Sequence, residues 1–187
     1  MAAGFLNTVL RHTKDINITD MTGLMEFAGI WKKREQVYAV PAYYAFQMYT
    51  AVKSDTVLPV TTDSGTYNVN DGIPPLDHVE DIPYVDVVAT RSADGKTVTL
   101  LCVNRNLEED VPTKFDLGSL RPDGPIRQEQ IKAGSRYEHN DEVEPLHIVP
   151  LQSTVVAPDE GPVSVVLPHE SVTVLRVPVR QRDRMRG

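Results

Sequence analysis

Apolar positions change period about a third of the way along the chain. Over residues 2–14, Ala3, Phe5, Leu6, Val9 and Leu10 recur at helical spacing, and Arg11, His12 and Lys14 suit a C-terminal turn. Residues 22–30 form a short, mostly apolar run of the kind a buried parallel strand shows, although periodicity alone leaves a helix open. Trp31 to Glu35 is a charged stretch that predicts a loop. Residues 36–52, rich in Tyr and Ala, predict a second helix, with Pro41 marking either a kink or a start near residue 40. Helix, strand, loop, helix is the rhythm of an α/β layer, and one such unit cannot bury its own faces.

From about residue 56 the pattern is β. Val57–Val60, Tyr84–Thr90, Thr97–Val103, Val111–Leu117, Ile126–Ile131, Ile148–Ala157, Val163–Leu167 and Val172–Val179 are short and rich in β-branched residues. Asp94-Gly95, Pro122-Asp123-Gly124 and Pro158-Asp159-Glu160-Gly161 supply turn chemistry between them. Ser92 to Lys96 is the clearest hairpin turn. About eight such strands fit a β-sandwich or jelly roll. Residues 61–81, with few apolar positions, predict a long surface connection. The expected organisation is therefore mainly β: an incomplete helix–strand–helix piece over 1–54, a sandwich over 55–180, and a frayed Arg-rich tail over 181–187.

Composition sharpens this division. Thirteen of the 14 prolines follow residue 58, whereas eight of the 12 aromatics lie in the first 50 residues. The 187-residue chain is too short for a whole (β/α)8 barrel with a second domain, because such a barrel needs about 250 residues. A net charge of −7 argues against a general nucleic-acid binder. No apolar run approaches the roughly 20 residues of a membrane helix, and no secretory leader is visible, so Asn17-Ile18-Thr19 is taken as a chance sequon.

Candidate chemistry is sparse. Phosphate loops, HExxH, GxSxG and EF-hand patterns are missing from the sequence, and no cofactor is expected. His139 and His147, with Asp141, Glu142 and Glu144 between them, fit a solvated acidic loop better than a metal site. Cys102, inside a strand run, fits a small buried apolar side chain. Glu26 stands between Met25 and Phe27 in the apolar run, where a carboxylate must be hydrogen-bonded, paired or functional. An ion pair with Lys32, Lys33 or Arg34 is one role, and a place at the mouth of a barrel site is the other. Trp31 offers an indole for stacking on a sugar or packing on a rim. Gln36 offers an amide that both donates to and accepts from hydroxyls, or simply a solvated cap.

Three stretches together resemble the C-terminal part of the glycoside hydrolase family 51 α-L-arabinofuranosidases. They are Ala3-Gly4-Phe5-Leu6-Asn7 through His12, Met25 through Arg34, and Gln36 through Phe46. Leu101-Cys102-Val103-Asn104-Arg105-Asn106 and Leu167 through Leu175 extend the likeness into the β region. The resemblance implies that residues 2–14, 22–30 and 36–52 are the seventh helix, eighth strand and eighth helix of a barrel, followed by a jelly roll. It implies retaining hydrolysis of terminal α-L-arabinofuranosyl groups from arabinan, arabinoxylan or oligosaccharides, by two glutamates about 5–5.5 Å apart. Both glutamates would lie upstream of residue 1, and Glu26 matches neither, so no catalytic residue is assigned and the chain alone is expected to be inactive. Gln36, five residues before Pro41, matches a glutamine that contacts the bound arabinose in the family. Gln36, Trp31 and Glu26 are thus the expected substrate-binding residues.

The chain would then be a truncated product, a separate subunit or a fragment of an intracellular, cytoplasmic enzyme. Its expected partners are an arabinose-containing saccharide and either a missing barrel segment or further copies of itself. The competing reading is a non-catalytic sandwich that binds carbohydrate or a partner protein, although Tyr67, Tyr84, Phe115 and Tyr137 are its only aromatics. A duller reading has the sandwich folding alone as a structural domain.

Overall fold

The computed structural model describes residues 2–20, 25, 29–53, 56–70, 72, 78–135 and 137–181. Two helices, α1 (Ala2–Arg11) and α2 (Pro41–Thr50), flank a hairpin of β1 (Ile30–Lys33) and β2 (Gln36–Ala39). There follow β3 (Thr56–Leu58), β4 (Thr66–Val69), β5 (Val79–Pro83), β6 (Val85–Arg91), β7 (Thr97–Asn104) and β8 (Val111–Phe115). The last five are β9 (Leu120–Pro122), β10 (Ile126–Ile131), β11 (Leu151–Val155), β12 (Val163–Leu167) and β13 (Ser171–Gln181).

A seven-stranded antiparallel sheet in the order β11-β10-β13-β7-β6-β3, with β9 paired to the end of β13, forms the centre. Alternation along each strand divides its side chains between two cores. Val85, Val87, Val98, Leu100, Cys102, Leu175 and Val177 point one way and pack with Phe115, Val163 and Leu167 of the β8–β12 pair. Val88, Leu101 and Val174 point the other way and pack with Ala3 and Leu6 of α1 and Ala45, Met48 and Tyr49 of α2. The fold is thus a β-sandwich with a third, helical layer. The β6–β7 turn takes the expected form, with Gly95 at φ 70° and Asp94 Oδ1 accepting from Ser92 Oγ at 2.6 Å and Lys96 N at 3.0 Å. Asn104 joins the two sheets, donating from Nδ2 to Leu167 O at 2.9 Å. Cys102 is fully buried, and burial pushes its thiol pKa up.

Four expectations need correction. The stretch 36–52 is helical only from Pro41, the start near residue 40 that the proline allowed, and Gln36–Ala39 is a strand. Val40 before the proline is held extended (φ −86°, ψ 161°), while Pro41 at the first helical position loses no hydrogen bond. The charged stretch 31–35 is not a loop: Trp31–Lys33 belong to β1, and Arg34-Glu35 form the tight turn, with Arg34 at φ 55°. The 61–81 connection contains β4 and part of β5, paired as a hairpin. On α1, Phe5 is 57% exposed and off the buried stripe, and Asn7 takes that face with Leu6 and Ala3. Most of the 22–30 run lies outside the described residues, as does the tail from residue 182.

Candidate functional site

The β1–β2 hairpin carries two of the three sequence-predicted site residues. Its register pairs Ile30 with Ala39, Trp31 with Tyr38, Lys32 with Val37, and Lys33 with Gln36. Opposed residues share a face, and so do residues two apart. Trp31, Lys33, Gln36 and Tyr38 therefore stand on one face, with Trp31 and Gln36 diagonal neighbours within reach of one ligand. Tyr38 is buried, Trp31 half-buried and Gln36 exposed. An indole beside a free amide can stack on an apolar sugar face while exchanging hydrogen bonds with its hydroxyls. Glu26 lies outside the described residues.

A loop from the sandwich holds this hairpin. Asn140, 2% exposed, donates from Nδ2 to Ala39 O at 2.7 Å and Ile148 O at 2.9 Å, and its Oδ1 accepts from Ile148 N at 2.7 Å. Glu142 Oε1 meets Lys33 Nζ at 2.8 Å. That contact lowers the Glu142 pKa and raises that of Lys33. Asp141 Oδ1 accepts from Val143 N and Glu144 N, both at 2.8 Å, which holds its carboxyl below the usual range. Glu138 is lowered likewise, by Gly134 N at 3.0 Å and then His147 Nε2 at 3.1 Å. Among the described residues no group of three or more His, Cys, Asp or Glu side chains is arranged to hold a metal ion. None of the described helices is long and apolar enough to cross a membrane.

A second polar cluster fixes α1 to the sheet. Asp86, on β6 with its side chain 5% exposed, pairs with Arg11 through Oδ1 and with Arg105 Nη2 through Oδ2 at 2.8 Å. Arg11 Nη2 also donates to Val87 O at 3.1 Å, and Arg105 Nη1 to Pro83 O at 3.2 Å. The fully buried Asn7 accepts from Tyr49 Oη at 2.7 Å, joining the two helices. With both arginines on it and its surroundings fully bonded, Asp86 is engaged in structure rather than presented to a ligand. Sequence reasoning missed Asp86 and Asn140, placed Glu142 only in a solvated acidic loop, and gave Asn7 no contact of its own. The signal was present for Asp86, a lone carboxylate inside Val85-Asp86-Val87-Val88, the same argument that singled out Glu26.

One further concave surface is a cavity of about 400 Å³ between residues 60–65 and β8, lined by Tyr84, Val85 and Phe115. Tyr84 also packs on Tyr67, ring centroids 5.1 Å apart.

The fold is a β-sandwich with two helices packed on one outer face and a hairpin between them in the chain. Residues 1–171 match the family model for the α-L-arabinofuranosidase C-terminal domain, and the chain belongs to that family. The fold is shared with a thermostable GH51 α-L-arabinofuranosidase from Thermotoga petrophila RKU-1 (TM-score 0.80, 19% identity, 94% of this chain and 37% of that one). It is shared equally with the α-L-arabinofuranosidase of Thermotoga maritima, solved as an arabinose complex (TM-score 0.81, 18% identity, 95% and 37%). The GH51 arabinofuranosidase of Xanthomonas axonopodis pv. citri is a further match (TM-score 0.79, 18% identity, 94% and 34%). The chain thus spans little more than a third of the length of these proteins. No curated protein sequence matches it.

Proposed function

We propose that this chain serves as the C-terminal part of a retaining α-L-arabinofuranosidase acting on terminal arabinofuranosyl groups of arabinan, arabinoxylan or oligosaccharides. Trp31 and Gln36 contribute to the arabinose subsite, and the nucleophile and acid/base glutamates come from a barrel segment outside these residues. The observation that carries this reading is the family match over residues 1–171, together with a hairpin whose register sets Trp31 and Gln36 on one face. Without a carboxylate pair a retaining mechanism has neither its covalent intermediate nor its proton donor. The isolated chain should therefore leave a chromogenic α-L-arabinofuranoside unhydrolysed. Turnover in the ordinary enzyme range, about 1 s⁻¹ or faster, would overturn the proposal.

A second reading has a specific observation behind it. The cavity lined by Tyr84 and Phe115 is within the size range of small-ligand sites, roughly 300–1,000 Å³, and its lining also carries Asp63, Ser64, Glu109 and Lys114. This supports the sandwich as a non-catalytic carbohydrate-binding module. Retention of the chain on insoluble arabinan or arabinoxylan, lost on Tyr84→Ala but kept on Gln36→Ala, would favour it over the first.

A further inference from the structure

A two-stranded hairpin of four-residue strands is marginal by itself in water. Beyond its own pairing, the β1–β2 pair meets among the described residues an isolated parallel bridge from Met25 to Ile30 and no further named strand. Its exposed residues, Val37 at 61% and Gln36, show that burial on every side is not what holds it. Two contacts from one loop, at opposite ends of the hairpin, add to the Met25–Ile30 bridge and the Val40 N–Gly29 O hydrogen bond. Asn140 grips Ala39 O, at the end away from the turn. Glu142 grips Lys33, the residue that flanks the turn and faces Gln36. Three residues of strand separate the two grips, about 10 Å. A single anchor would leave a pivot, whereas two at this spacing fix both position and direction.

The loop is itself anchored. Asn140 closes a pair of hydrogen bonds with the backbone of Ile148, and Ile148, 3% exposed, belongs to the core between sheet and helices. Asp141 orders the turn that presents Glu142 by accepting two successive backbone N–H groups. A continuous path of packed and hydrogen-bonded groups thus runs from the core between sheet and helices to the face bearing Trp31 and Gln36. The carboxylate of Glu142 also neutralises the cation directly opposite Gln36, so a neutral polyhydroxyl ligand meets an amide rather than an unpaired ammonium.

We infer that the sandwich loop 134–148 positions the ligand-facing hairpin, with Asn140 and Glu142 as positioning residues that set the placement of Trp31 and Gln36. The inference rests on the reading of those two residues as an arabinose subsite, which requires placement to within about 0.5 Å for its hydrogen bonds to form. It assigns the β domain a part in substrate recognition exerted through the hairpin.

The chain contains one tryptophan, so Trp31 reports on the hairpin without interference. Asn140→Asp keeps the acceptor for Ile148 N and puts an oxygen where Ala39 O needs a donor. Glu142→Gln removes the charge pair at the more exposed end. In the 187-residue chain, each should speed amide exchange of residues 30–39 tenfold or more and shift Trp31 emission to the red. Exchange in β7 and β13 should stay unchanged. The swap Lys33→Glu with Glu142→Lys should restore both readouts. Unaltered hairpin exchange and emission in both variants, or acceleration spread equally over β7 and β13, would overturn the inference. If Asn140→Asp fails to fold, Glu142→Gln with its swap decides alone. Titration with L-arabinose separates the two layers: a hairpin that loosens while the sugar leaves Trp31 emission unchanged in every protein keeps the positioning role and removes the arabinose subsite.

Discussion

On the face that meets β8 and β12, the central sheet is covered by aliphatic side chains with Phe115 and the thiol of Cys102. On the face that meets α1 and α2, an apolar patch of similar kind surrounds a set of directed contacts: Asp86 with Arg11 and Arg105, and Asn7 with Tyr49. Burial of apolar surface rewards contact but not direction. The β8–β12 pair is a separate two-stranded sheet, and on that side the directed contact is the single bond from Asn104 Nδ2 to Leu167 O. A helix lying on a sheet can rotate or slide at little apolar cost, and here hydrogen bonds from Asn7 and Arg11 remove that freedom. The helical layer is thus registered by a set of polar contacts, the β8–β12 layer by apolar packing with the Asn104–Leu167 bond.

The comparison can be broken from either side. The largest effect is expected for Leu175→Ala on the strand side, about 4 kcal/mol for a fully buried leucine, seen as a fall in the global denaturation midpoint with all probes moving together. Asp86→Ala comes next, at about 3 kcal/mol. This is the low end for breaking a buried pair, because the Arg11 and Arg105 side chains keep 43% and 28% of their exposure. Its distinguishing mark is selective loss of hydrogen-exchange protection in α1. A uniform loss across β7 and β13 would mean that the cluster supports the whole fold rather than the helix. Tyr49→Phe should cost roughly 1–2 kcal/mol, since it leaves the buried Asn7 carbonyl oxygen without its donor. Measured by urea denaturation, a neutral result would show that the Tyr49–Asn7 bond adds nothing to helix register.

The smallest effects concern pH and belong to the turns and loops rather than to either face. Asp94, Asp110, Glu138, Asp141 and Glu142 all have lowered pKa values. Backbone donors are the leading cause for Asp110, Glu138 and Asp141, Ser92 for Asp94 and Lys33 for Glu142. A depressed carboxylate contributes stability that is complete above its unfolded value, about 4, and is lost as pH falls through its folded value. The melting temperature should therefore be flat from pH 7 to about 5 and decline below about 4. Asp110→Asn should shallow that decline, because His169 N and Nδ1, at 2.9 and 2.7 Å, would no longer face a carboxylate.

What the sequence disclosed follows the same division. Strands with one buried face announce themselves by period, and β10 and β12 lie where the alternation puts them, Ile126–Ile131 and Val163–Leu167. The Asp94-Gly95 turn needed only local chemistry to be recognised. The hairpin at 30–39 was hidden because its residues mix charge, Val and Tyr without a clean period, and the apolar run of α2 drew the helix backward across Pro41. Gln36 and Trp31 were singled out separately as candidates, and their common face depends on a strand register that no local pattern supplied. The Asn140 and Glu142 grips join positions about a hundred residues apart, and contacts of that separation leave no mark on either segment.

The single thiol at position 102 offers a practical handle. Sealed between the layers and kept protonated by its surroundings, it is shielded from sulfhydryl reagents as long as the layers stay closed. Its modification rate under native conditions is therefore a clock for their parting, needing neither a label nor an added chromophore. Because there is no other cysteine to compete, a mixed disulfide or adduct on the intact mass counts each opening once.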